Sequence, residues 1–312
     1  VNLDAYFGVQ KAAKQLKMLN AQQFGDMLWQ AMKNDGKTPS HDVYGNGDQA
    51  VVPEYLDKDH KIPSDDVDWV DEILRAAIVQ SYNLSFTKAD KKSNQLFSLG
   101  YYDQQGLVKL SDFKRVSGRF NSEYKLFDDH LRIGENISLS HSWGTSVSNN
   151  ALGGTLYEAY KFQSITPVKN LEDEYAGNVF SDIPNPMGKL HRNKDNKDKK
   201  SRLVGNLYAE LHLFDGFMFK TSFGADYNNL YRRSFSPKYD EINASEKLSG
   251  LSNRNAWNFN WVFTNTLNYT KTFGDHTINA LLGLESLRNR YEYFTASRDG
   301  FPSDDPNFHF LD

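Results

Sequence analysis

Apolar and polar residues alternate with period two from the start of the chain. Val1, Leu3, Ala5, Phe7 and Val9 share one parity, and Asn2, Asp4, Tyr6, Gly8 and Gln10 the other, the pattern of a strand with one apolar face. The split recurs at length. Leu131, Ile133, Ile137, Leu139 and Trp143 oppose Arg132, Asn136, Ser138, Ser140 and Ser142; Leu203, Leu207, Ala209 and Leu211 oppose Arg202, Asn206, Glu210 and His212. Phe217 to Tyr231 and Trp257 to Tyr269 repeat it, His276 to Leu284 more weakly, and Ser81 to Thr87, Gln95 to Asp103 and Phe113 to Leu126 in shorter form. The pattern predicts nine strands, near 1–10, 79–88, 94–104, 113–126, 131–145, 201–213, 217–232, 255–271 and 276–289. Strands of soluble domains average about 5–6 residues, whereas several of these reach about 12, enough for a tilted strand to cross a bilayer.

The connections alternate between tight and long. Tight ones are 88–93, 127–130, 214–216 and 273–275; the long ones are 11–78, 144–200, 233–254 and 290–312, with a brief link at 104–112. All long links fall at one end of the expected sheet, as in barrels with short periplasmic turns and long outer loops. Tyr124, Phe127, Phe214, Phe217, Tyr269 and Phe273 crowd the tight turns, while Trp143 and Trp257 lie about a dozen residues further up their strands. Twelve residues at about 3.3 Å each, tilted by about 40°, climb roughly 30 Å, near the spacing of two aromatic girdles. Glu135 interrupts the apolar parity of its strand; a bulge at Gly134 or a position low in the membrane would accommodate it.

The first long loop carries helical signals. Asn20 as N-cap with Gln23 at N3 forms a capping box before Phe24, Met27, Leu28 and Ala31, with Gly36 as terminator, and a second short helix is expected over Asp68 to Ala76. Such helices can bury their apolar stripes only against each other or the rim of the sheet.

Composition narrows the chemistry. The 312 residues carry 36 Lys+Arg against 40 Asp+Glu, a net −4 without a basic block, which argues against a nucleic-acid groove. No apolar run of about 18 residues encodes a transmembrane helix, and zero cysteines exclude disulfides and thiolate chemistry. The eight His residues form no HExxH pair, so no metal site is expected, and Gly36-Lys37-Thr38 lacks the upstream glycine of a phosphate loop. Asp57, Asp59, Asp65, Asp66 and Asp68 lack EF-hand spacing and read as solvated loop charge, as does the run 191–200. Nothing selects a catalytic carboxylate pair, and neither catalytic residues nor a cofactor is expected. Arg115, Arg119, Glu123, Arg202, Glu210 and His212 fall on the polar parity and are expected to face a lumen as a hydrated, salt-bridged wall or as direct substrate contacts.

Specific strings add to the periodicity. The opening VNLDAYFGVQ, then Asp68-Trp69-Val70-Asp71, Tyr82-Asn83-Leu84-Ser85, Ser98-Leu99-Gly100-Tyr101-Tyr102, Asp112-Phe113-Lys114-Arg115, Ile133-Gly134-Glu135-Asn136, Gly205-Asn206-Leu207-Tyr208 and Ala296-Ser297-Arg298-Asp299-Gly300-Phe301 run in family order along essentially the whole chain. Together they resemble the SusC/RagA family of TonB-dependent outer-membrane transporters. The resemblance implies an all-β fold: about nine strands of a 22-stranded transmembrane antiparallel β-barrel, with long, partly helical extracellular loops. It further implies import of oligosaccharides or peptides across the outer membrane of a Gram-negative Bacteroidetes cell, with energy from the TonB complex and a SusD-like surface lipoprotein as lid. The family's plug and remaining strands would then lie outside this chain, and an isolated nine-stranded piece, with two open edges in lipid, is expected neither to insert nor to transport. Trp69, Tyr157 and Tyr160 are candidate loop aromatics for contact with substrate or lid. The rival reading is a soluble, secreted β-rich glycan-binding module or glycan-active enzyme, which requires the face bearing Trp143, Trp257 and Trp261 to be buried under a second sheet.

The contrast between 14% aromatic residues (21 Phe, 17 Tyr, 5 Trp) and a mean hydropathy of −0.66 follows from this arrangement. Alternation pairs each outward Phe, Leu or Trp with an inward Asn, Ser or Arg, and the polar loops lower the mean further.

Overall fold

A computed structural model of the chain describes residues 1–148 and 153–311. Among these, nine strands form one antiparallel sheet in sequence order: β1 (Asn2–Gln10), β2 (Ala77–Ala89), β3 (Ser93–Gln105), β4 (Asp112–Leu126), β5 (Leu131–Gly144), β6 (Lys197–Phe214), β7 (Phe217–Ser236), β10 (Gly250–Phe273) and β11 (His276–Asp299). A separate hairpin, β8 (Tyr239–Glu241) with β9 (Ala244–Glu246), sits in the connection between β7 and β10. The fold is thus the all-β sheet expected, as part of a barrel. Within this chain it does not close: β1 pairs only with β2, and β11 only with β10.

The ladder is nearly unbroken, with one register shift, between His212 and Phe214 at the foot of β6. Continuous register preserves alternation across neighbouring strands, because residues directly opposite project to the same side. Leu139, Leu203, Tyr227 and Phe259 therefore form one row on the apolar face, and Ser138, Val204, Asp226 and Asn260 one on the polar face. The apolar face lies bare. Leu139 and Leu207 are 54% and 57% exposed, and Leu203 and Phe263 41% and 42%, far from the burial that a sandwich core gives such side chains. The only other sheet among the described residues is the small loop hairpin, so the burial under a second sheet that the rival reading requires is absent from them.

Turn chemistry fixes the tight end. Asp215-Gly216 and Gly274-Asp275 make two-residue hairpin turns, closed by Phe214 opposite Phe217 and Phe273 opposite His276, with Gly216 at φ +82° and Gly274 at +59°. The carboxylate of Asp90 caps the β2–β3 turn by accepting from the amides of Lys92 and Ser93 at 2.8 and 2.7 Å. In the β4–β5 turn, Phe127, Asp128 and Asp129 all take left-handed φ values of 53°, 51° and 72°, a conformation disfavoured by about 1–2 kcal/mol per residue for L-side chains. Arg132 braces it, donating Nε and Nη2 to the Asp129 carboxylate at 2.6 and 2.8 Å.

The outer end differs from the expected boundaries. β7 continues to Ser236, β10 starts at Gly250 and spans 24 residues, and β11 runs to Asp299. Much of what periodicity assigned to loops 233–254 and 290–312 is therefore strand. The strands are thus longer than the stretches over which the sequence alternates, and pairing continues outward while alternation fades. The expected bulge at Gly134 is likewise absent, since β5 stays in register with both neighbours. Glu135 instead lies four residues from the start of β5, near the tight turns, and accepts a hydrogen bond from the Ser122 hydroxyl directly across the β4–β5 ladder.

Gly134 has a packing role. Tyr208, its partner on β6, lies flat over it, so an added Cβ would overlap the ring, whose hydroxyl donates to Glu123 at 2.7 Å. Gly134→Ala is expected to push Tyr208 off Glu123 and to cost about 1–3 kcal/mol by overpacking, read as a lower unfolding midpoint of the full-length protein in detergent, with Gly134→Ala/Tyr208→Ala recovering part of the loss.

Candidate functional site at the outer mouth

The long connections fold into a platform over the outer ends of the strands. Helix α1 (Ala21–Asn34) starts as expected: the Asn20 side chain accepts from the Gln23 amide at 2.8 Å, and the Gln23 side chain accepts from the Asn20 amide at 3.0 Å. Helix α2 (Trp69–Ile73) is shorter than expected; the Asp68 carboxylate caps it at Val70 and Asp71, and it stops before Leu74, where the chain turns into β2. The connection 144–200 holds two further helices, α3 (Thr155–Lys161) and α4 (Pro186–Asn193), that periodicity did not reveal.

Two apolar clusters hold the platform. Trp69, Val70 and Ile73 of α2 pack with Ala159 of α3, Phe162 at its C-cap and Leu190 of α4. Ala21 and Trp29 of α1 pack with Tyr44, Ala50 and Ile165. Each cluster joins residues more than a hundred positions apart, so neither loop could fold this way alone. The backbone stitches the same seam, with Asp65 and Val67 amides donating to Ile165 and Ser164 carbonyls at 2.9 and 2.8 Å.

Asn185 forms the polar centre of the platform. It is fully buried and caps α4, its Oδ1 accepting from Met187 and Gly188 amides at 3.1 Å each while Nδ2 donates to the Val168 and Ala176 carbonyls at 3.0 Å each. Its own amide donates to Glu241 at 2.6 Å. That carboxylate, brought in by the β8–β9 hairpin, also binds Arg192 of α4 at 2.5 Å; burial pushes its carboxyl above the usual range, against the pull of Arg192. Arg192 in turn lies 3.8 Å from the ring centroid of Tyr239. Asn185-Pro186 was the overlooked signal, since Asn at the cap followed by Pro at the first helical position marks a helix start.

Two openings lie between platform and strands. One, of 580 Å³, is bounded by Ser146, Lys189, Asn193, Arg232 and Tyr239; the other, of 610 Å³, by Gln10, Gln104, Phe113, Ser142, Lys200 and Leu230. Their cations are largely committed: Lys189 to Glu158 at 2.6 Å, and Arg232 to Asp198 through a bidentate pair at 2.6 and 2.5 Å. No cluster of metal-binding side chains occurs among the described residues.

The register places all six expected lumen residues, Arg115, Arg119, Glu123, Arg202, Glu210 and His212, on the polar face. Three are satisfied within the sheet: Arg202 by Asp226 at 2.9 and 2.7 Å, Glu210 by Lys220 at 2.8 Å, and Glu123 by Tyr208. Arg115 and Arg119 stand exposed, Arg115 with its guanidinium 5.9 Å from the Tyr102 ring. The loop aromatics divide. Trp69 is only 1% exposed, its ring in the α2–α3–α4 cluster and its indole N–H donating to the Gln163 carbonyl at 3.2 Å. Its place as first residue of α2 turns it inward with Val70 and Ile73, so the surface contact expected of it is corrected. Tyr160 packs against the same cluster, and Tyr157 remains at the surface beneath Lys161.

No family model matches the chain. Over 243 residues it is 25% identical to TonB-dependent receptor P39 of Formosa agariphila, a match covering 76% of this chain and 22% of that protein. Over 261 residues it is 24% identical to TonB-dependent receptor SusC of Bacteroides thetaiotaomicron, covering 74% and 26%. The fold superposes on the RagAB peptide transporter with a TM-score of 0.76 at 19% identity, and on the RagAB peptide importer in its open-open state with 0.75 at 21%, each over 97% of this chain and 36% of that one. The chain is related to the SusC/RagA TonB-dependent receptors. It spans about a quarter of the length of the curated TonB-dependent receptors it matches.

Two measurements test the platform of this SusC/RagA relative. Asn185→Ala removes the side-chain bonds that join α4 to two neighbouring segments and is expected to destabilise the platform by about 3 kcal/mol, read as faster proteolysis within 153–196 of the full-length protein while the heat-resistant sheet persists. Tyr44 sets a pH limit. Its buried hydroxyl donates to the Ala21 carbonyl at 2.8 Å, and burial, aided by Asp66, pushes its phenol from 10.0 up to about 12. A value raised on folding means that the contribution is complete below pH 10 and lost as pH rises through about 12. Protease sensitivity of the α1 region should rise across that window, and Tyr44→Phe should abolish the dependence.

Proposed function

We propose that this chain forms part of the barrel and outer mouth of a TonB-dependent outer-membrane importer of oligosaccharides or peptides. The observation that carries the reading is the bare apolar face of a long-stranded sheet whose opposite face is polar and salt-bridged, with every long loop gathered at one end. A lipid bilayer is the environment in which such a face is stable without a covering layer. Relatedness to SusC-type receptors adds the transport role, and likeness to the RagAB structures adds the expectation of a SusD-like lipoprotein seated on the platform.

In this reading the chain binds and gates and carries out no covalent chemistry. The six lumen residues form a hydrated wall, with Arg115 and Arg119 the side chains open to contact. The two openings under the platform are where nutrient oligomers would pass. Energy would come through TonB.

The test is uptake by the producing cell. Deleting the gene should abolish import of its oligosaccharide or peptide nutrient, and a protonophore should stop import in the wild type. A full-length product that is soluble and monomeric without detergent, and lacks heat-modifiable mobility, would sink the proposal.

A further inference from the structure

We infer that the outer rim of the apolar face, at β4 to β7, binds the phosphate of an anionic lipid in the surrounding leaflet. The inference rests on the membrane reading of the sheet and adds a site to it.

Register builds the site. Lys114 of β4, Trp143 of β5, Lys199 of β6 and Tyr231 of β7 stand directly beside one another in a single row, and one step outward Lys197 stands opposite Arg233. All six occupy the parity of Leu139 and Leu203, so their side chains leave the sheet on its apolar side. Partners across a ladder hold their Cβ atoms about 4.5–5.5 Å apart, which places four cations within reach of one headgroup.

The charges on β6 and β7 are uncompensated. Lys114 is bonded to Asp103 at 3.1 Å, and Arg233 donates to the His309 carbonyl at 3.3 Å, a contact that leaves its charge unpaired. Lys197 and Lys199 are exposed and make no ion pair among the described residues. Along the apolar parity of β4 to β7 there are two carboxylates: Glu135, eight residues below Trp143, about 26 Å along the strand, and Asp112, two residues outward of Lys114, whose Oδ1 accepts from the Thr145 amide at 3.0 Å. The rim is thus positive over an apolar wall.

Its height fits a headgroup. Segment 300–310 folds over the same face just above, where His309 stacks on Phe235 at 3.6 Å and Phe301 meets it at 5.9 Å. Polypeptide therefore covers the face from Phe235 outward, and Leu139, Leu203 and Leu207 stand bare below it. The basic row lies at the boundary, beside aromatics of the kind that sit at membrane interfaces. Lysines there can lay their stems on the apolar wall and lift their charges to the phosphate level. The bare leucines beneath would receive the acyl chains, which free phosphate lacks.

The experiment uses the full-length protein, purified in a neutral detergent and titrated with diphosphoryl lipid A or with the same lipid after dephosphorylation, bound lipid being counted by native mass spectrometry. The phosphorylated form should be retained, and Lys197→Gln/Lys199→Gln/Arg233→Gln should weaken retention at least about ten-fold. Lys88→Gln/Lys271→Gln, at the tight-turn end, should leave it unchanged. Should the triple variant not assemble, Lys199→Gln alone gives the same reading. Equal retention of the dephosphorylated lipid, equal retention by the rim variants, or displacement by inorganic phosphate alone would each overturn the site. These outcomes are read on a protein whose heat-modifiable mobility already establishes the barrel, so a failed lipid site is distinguishable from a failed membrane reading.

Discussion

Everything in this molecule depends on backbone hydrogen bonding along one antiparallel ladder. In a medium without water each strand must find its donors and acceptors in its neighbours, and here they do so over long runs with a single shift at the foot of β6. Because the side-chain period is two, an unbroken ladder is also a sorting device. It gathers leucines and aromatics on one face and asparagines, serines and ion pairs on the other, and a one-residue slip would exchange the two. The tight turns guard the register, through Asp-Gly and Gly-Asp pairs and, at β4–β5, through a strained turn braced by Arg132 and Asp129.

The platform obeys a different rule. Above the span both faces meet water and folded loops, so the strands need no alternation, and apolar side chains are buried in helices instead. Two small clusters and one buried asparagine hold three connections together. Asn185 satisfies four groups that would otherwise be unpaired, and Glu241 ties the β8–β9 hairpin to α4 through Arg192. These are long-range contacts, so the openings below the platform have their shape set by segments distant in sequence. The polar wall beneath them is largely self-satisfied, and among the described residues Arg115, Arg119 and Lys200 stand on it as exposed cations without an ion pair.

The apolar face, too, is more than a passive surface. On β4 to β7 its outer rim carries cations on the parity that Leu139, Leu203 and Leu207 occupy below, just under the point where the chain folds back over Phe235. On β5 to β7 that parity carries only Glu135 as a charge below the rim, so in the proposed membrane setting the cations gather where the bilayer becomes polar; β11, by contrast, places Arg288 and Arg290 opposite Trp261 and Phe259.

The sequence by itself determined the nine sheet strands, their order and, for most of them, which residues share the apolar face, because period-two alternation is a local code that a span with one apolar face enforces residue by residue. On β11, with Arg288 and Arg290 opposite Trp261 and Phe259, that code is weak. It also determined α1, whose capping box is complete within four residues. Outside the span that enforcement ends, so the outward extensions of β7, β10 and β11 left no alternation to read. α3 escaped because its N-terminus, at Gly154, has no capping side chain; the Asn-Pro start of α4 was legible but is a weaker mark than a full box. Only the tertiary structure decided that Trp69 turns inward, that Glu135 meets Ser122 across a regular ladder, and that Lys199 stands between Trp143 and Tyr231. Each of these is a pairing between different elements, and no pattern within one element specifies its partner.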